Sequence, residues 1–65
     1  MPITEVFTYA ERVENAAQSF LKLKDEYLEW FGSITFRNRI ATEWVVNPTD
    51  LDEKVWEITQ QTRSA

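Results

Sequence analysis

The side chains in this chain that are able to do chemistry are few in kind. No histidine and no cysteine occurs among the 65 residues, and the serines are Ser19, Ser33 and Ser64. Acid–base and nucleophilic catalysis by the usual routes needs a tuned base beside a nucleophile in a cleft, so a catalytic triad is excluded. Carboxylate pairs remain, such as Asp25 and Glu29, but both fall on the polar side of an amphipathic stretch, where solvated surface is the plain reading. Asp50, Asp52 and Glu53 carry oxygen ligands, yet the twelve-residue calcium loop with its glycine is missing, and a helix start explains them. Gly32 is the only glycine, so a glycine-rich phosphate cradle cannot be built. The expectation is a protein that is not an enzyme and uses no metal or cofactor.

Recognition is the chemistry that remains. Nine aromatic side chains, three of them Trp, make up 14% of the chain, and Trp and Tyr are enriched at the energetic centres of interfaces. Trp56 stands out because it lies about 100° or more from the apolar stripe of its own helix, so it is not aimed straight into a core. Thr59, Gln60 and Arg63 follow one or two turns on and flank it. The alternative is that Trp56 fills a gap between helices. Tyr27, Trp30 and Phe31 form a second aromatic group, and with Trp56 and Arg63 they are the candidate partner-binding residues. Arg37 and Arg39 are the only close pair of arginines. In an extended segment they share one face and could contact phosphate; otherwise they solubilise an edge or pair with the acidic first helix.

These residues need elements to hold them. Val6, Tyr9, Val13, Ala16, Phe20, Leu23, Tyr27 and Trp30 alternate at three- and four-residue steps, which predicts one helix over about 4–31 with Thr4 as N-cap and Gly32 as C-terminal cap. Its apolar arc is about 160° wide, enough to pack against two other elements. A helix of that length runs on the order of 40 Å, longer than the roughly 28 Å expected across so small a domain. Residues 50–62 read as a further helix, with Asp50 and Glu53 as a capping box and Leu51, Val55 and Ile58 on its inner face.

Between Gly32-Ser33 and Asn47-Pro48 the stretch 34–46 is ambiguous. As a helix it places Phe36, Ile40, Ala41, Trp44 and Val45 on one side, with Arg37 intruding. As a strand it is rich in Ile, Val, Thr and aromatics, but it is too long, and a hairpin turn would fall at Arg37-Asn38 without glycine. The reading adopted is all-α, a small bundle of one long N-terminal helix and two shorter ones at 34–46 and 50–62. An α+β arrangement with 34–46 as strand or hairpin is the alternative.

Sixty-five residues make one domain near the lower size limit for unaided folding, without the disulfides or metal that usually assist at this size. That limit and the overlong helix point to homo-oligomerisation, a dimer above all. The net charge of −4 opposes attraction to nucleic acid and anionic lipid. Met1-Pro2-Ile3-Thr4-Glu5 lacks a secretory signal, and no stretch approaches a membrane span, so a soluble cytoplasmic protein is expected. The function these features suggest is an acidic protein-binding module, an adaptor or inhibitor of a larger protein. The alternative is a small dimeric nucleic-acid-binding regulator that uses Arg37 and Arg39.

Overall fold

A computed structural model describes residues 7–27 and 33–64, the side chains of 62–64 excepted. Three helices follow in chain order: α1 (Tyr9–Tyr27), α2 (Ser33–Trp44) and α3 (Pro48–Ser64). No strand occurs among the described residues. The all-α bundle is therefore the fold, and the strand alternative for 34–46 is not needed.

The start of α1 lies one turn later than the periodicity suggested. Thr8 is followed three residues on by Glu11, and the two close a reciprocal box. The Thr8 N–H donates to Glu11 Oε1 at 2.9 Å, and the Glu11 N–H donates to Thr8 Oγ1 at 3.2 Å. Thr4 has Phe7 at the corresponding place, which cannot return such a bond. Phe7 and Thr8 accordingly stand outside the helix. Residues 4–6 and the predicted end of the helix at 28–31, with its Gly32 cap, lie outside the described residues. Over the described span 19 residues give a helix of about 28 Å, within the 35 Å longest extent of the molecule. The expected length of about 40 Å depends also on residues 28–31, which lie outside the described residues.

Helices α2 and α3 are joined within three residues by two interlocking end motifs. The Val46 N–H donates to Ala41 O at 2.9 Å and the Val45 N–H to Thr42 O at 3.2 Å, closing the last turn of α2 as a Schellman motif. Val45 holds the left-handed position of that motif, with φ of 57°, and its side chain is 71% exposed. The expectation that Val45 joins the inner face of α2 fails for this reason: the chain reverses one residue before it.

Asn47 then caps α3, its Oδ1 accepting the Thr49 N–H at 2.8 Å. Pro48 occupies the first helical position, where its missing N–H costs nothing and its fixed φ suits a helix. Asp50 and Glu53 are therefore not the capping box that the sequence suggested. Val46 and Leu51, just before the cap and at the fourth helical position, are both buried, as a hydrophobic staple requires.

The core joins Val13, Ala16, Ala17 and Phe20 of α1 to Phe36, Ile40 and Ala41 of α2, closed by Val46 and Leu51. Ala16 and Ala17 are fully buried, and their small side chains let the neighbouring helices approach α1 closely. Phe20 and Phe36 stack with centroids 5.5 Å apart, and Tyr27 leans on Phe36 at 6.1 Å. Leu21, Leu23, Trp44, Val55 and Ile58 pack around this centre, half-buried. The wide apolar arc of α1 is thus used as expected, against two helices.

Candidate functional site

Leu51, Val55 and Ile58 turn α3 inward, and at about 100° per residue this leaves Trp56 on the outer side. Trp56 is 64% exposed, and its ring makes no hydrogen bond, ring contact or cation–π contact among the described residues. With Asp52, Glu53 and Glu57 it lines an open depression of about 380 Å³. The indole thus sits beside three carboxylates, of which Asp52 and Glu57 are ion-paired to Arg37 and Lys54.

The nearby cations among the described side chains are engaged elsewhere. Arg37 of α2 reaches across to Asp52 Oδ2 at 2.8 Å. Lys54 binds Glu14 of α1 at 3.0 Å and Glu57 at 3.6 Å. The Lys54 contact and the amide of Gln18 hold the Glu14 carboxyl below its usual range, and the same pairing pushes the Lys54 ammonium up. At the α1 end of α3, the Tyr9 hydroxyl donates to Asp50 Oδ2 at 2.6 Å and accepts the Asn47 N–H at 3.0 Å. Donation to Asp50 raises the Tyr9 phenol above its ordinary value. Asp50 and Asp52, read from the sequence as helix-start charge, are therefore ties from α3 to α1 and α2.

Arg37 and Arg39 are not one basic face. Two residues apart on a helix is about 200° of rotation, and each arginine meets a carboxylate: Arg37 on Asp52, and Arg39 on Glu43 at 3.6 Å. The extended geometry that would have aligned them is absent, because α2 is helical throughout. Tyr27 is 38% exposed and rests on Phe36, far along the chain from Trp56. Trp30 and Phe31 lie outside the described residues, as does the side chain of Arg63.

Ile34 was missed by the sequence reading as a surface feature. It is 66% exposed at the start of α2 and lines a second open depression, about 410 Å³, with Phe20, Lys24, Arg37 and Asp52. Asp52 belongs to both depressions, so Trp56 and Ile34 flank the Arg37–Asp52 ion pair. The signal in the sequence was phase: Ile34 falls two residues before Phe36, away from the Phe36–Ile40 face.

No group of three or more potential metal-binding side chains occurs among the described residues, and no helix there is long and apolar enough to cross a membrane. Comparison with protein families, curated proteins and solved structures finds no match to this chain.

Proposed function

We propose that the chain is a non-catalytic protein-binding module, an adaptor or inhibitor of a larger protein, that docks through the outer face of α3 with Trp56 as its anchor. One observation carries the reading. A chain this short has little apolar surface to spare for its core, yet its largest side-chain type is left in solvent at Trp56. An exposed Trp that sits in a shallow depression has the character of an interface hot spot.

This reading is favoured over a nucleic-acid regulator because Arg37 and Arg39 are each paired with a carboxylate and do not share a face. Two such arginines offer little counterion release.

The test is capture with the tagged full chain after nuclease treatment, comparing wild type with Trp56→Ala. A protein held in stoichiometric amount by the wild type should be bound at least about tenfold more weakly by the variant. Retention with a loss smaller than about 0.5 kcal/mol rules out Trp56 as the anchor.

A further inference from the structure

The surroundings of Trp56 select the chemistry of what lies on it. An indole face attracts cations more strongly than any other aromatic side chain. Carboxylates around it strengthen that preference and repel anions. Asp52, Glu53 and Glu57 line the depression with no basic side chain among them. Among the described side chains the nearby cations do not cover the ring: Arg37 is held on Asp52, and Lys54 on Glu14 and Glu57. Glu53 makes no ion pair or side-chain hydrogen bond among the described residues, and it is exposed. It is the acceptor left over for an incoming donor.

Resting on the docking reading above, we infer that Trp56 and Glu53 receive an arginine side chain from a basic segment of the partner protein. A guanidinium suits both parts of the site, because it stacks flat on an indole and donates in the same plane to a carboxylate. A lysine ammonium supplies the charge without the stacking plane. A second copy of this chain is the wrong occupant, because it would bring another net charge of −4 against the same acidic rim. Nucleic acid and anionic lipid are repelled for the same reason. Beyond Asp52, the exposed Ile34 gives an apolar residue of the same segment a surface to meet.

The experiment uses the isotopically labelled full chain and two probes of equal charge: a short peptide alternating Gly and Arg, and its Lys counterpart. The Arg peptide should shift the Trp56 indole N–H and the backbone amides of Glu53 and Glu57, and it should bind at least about threefold more tightly than the Lys peptide. Trp56→Ala should weaken the Arg peptide about tenfold and erase its advantage over Lys. Glu53→Gln, which touches no ion pair or side-chain hydrogen bond among the described residues, should weaken it about two- to threefold. Circular dichroism of each variant checks that the helices persist, and Trp56→Leu repeats the test with a side chain that keeps apolar bulk.

Equal binding of both peptides, unchanged in Trp56→Ala, would mean diffuse charge attraction and overturns the inference. If neither peptide shifts Trp56 while Trp56→Ala still loses the captured cellular partner, the arginine assignment fails and the docking reading stands. If that partner is kept by Trp56→Ala, the docking reading itself fails.

Discussion

Phe36 and Trp56 occupy opposite situations in the same small bundle. Phe36 is buried between α1 and α2, stacked on Phe20 with Tyr27 at its edge. Trp56 is larger, lies one helix further along the chain and faces water above three carboxylates. Both positions follow from helical phase, yet folding uses only one of them. The contrast separates what the chain needs in order to fold from what it carries for another molecule.

The largest effect that tests this contrast is on stability. Phe36→Ala should cost about 3–5 kcal/mol, through lost burial and the cavity left beside Phe20. A domain of this size has a total stability of roughly 3–10 kcal/mol, so denaturant titration should find the variant largely unfolded or close to it. Trp56→Ala should stay within about 0.5 kcal/mol of the wild type in the same titration. A Trp56 variant destabilised as much as the Phe36 variant would break the comparison and return Trp56 to the core.

A smaller effect, of opposite sign, belongs to the α2–α3 connection. Val45 is β-branched and stands at φ of 57°, a region that costs an ordinary L-residue about 1–2 kcal/mol. Its side chain is mostly exposed and returns little of that cost. Val45→Gly keeps both backbone bonds of the Schellman motif and should raise stability by about 1 kcal/mol, after allowing for the greater freedom of glycine when unfolded. A thermal midpoint that falls would show that Val45 contributes contacts its exposure does not reveal.

Much of this architecture was legible in the sequence, and the misreadings have physical causes. The inner faces of α1 and α3 followed from apolar spacing, and that of α2 did except at Val45; spacing put Trp56 off the α3 stripe but left open whether it filled a gap between helices. Thr8 with Glu11 was a complete capping box passed over for Thr4, because the apolar repeat runs on through Val6 and a repeat carries no stop signal of its own. Asn47-Pro48 was read as a separator, although a capping residue followed by proline is also how helices begin. Val45 could not be anticipated. Local preference opposes its conformation, which is held by the burial of Val46 and the immediate start of α3. The ties of Asp50 to Tyr9 and of Asp52 to Arg37 were equally out of reach, since they depend on how helices distant in sequence pack.

The smallest effect concerns those ties and appears only at alkaline pH. Because the Tyr9 phenol is held in its protonated form by donation to Asp50, its value in the folded protein lies above the usual value of about 10. Its contribution is therefore complete below that pH and is lost as pH rises through the raised value, where phenolate and carboxylate would face each other. Lys54, also raised by its contact with Glu14, loses its share over a similar alkaline window. Glu14 acts at the other end: its lowered value means its share is lost as pH falls below the ordinary carboxylate range. Tyr9→Phe should leave the acid limb of a stability–pH profile unchanged and make the alkaline limb shallower, with the remaining slope due to Lys54. An alkaline limb identical in the two proteins would mean that the Tyr9–Asp50 contact does not couple α1 to the start of α3. The site around Trp56 would then lie on a helix anchored mainly by Leu51, Val55 and Ile58 and by the ion pairs to Arg37 and Glu14.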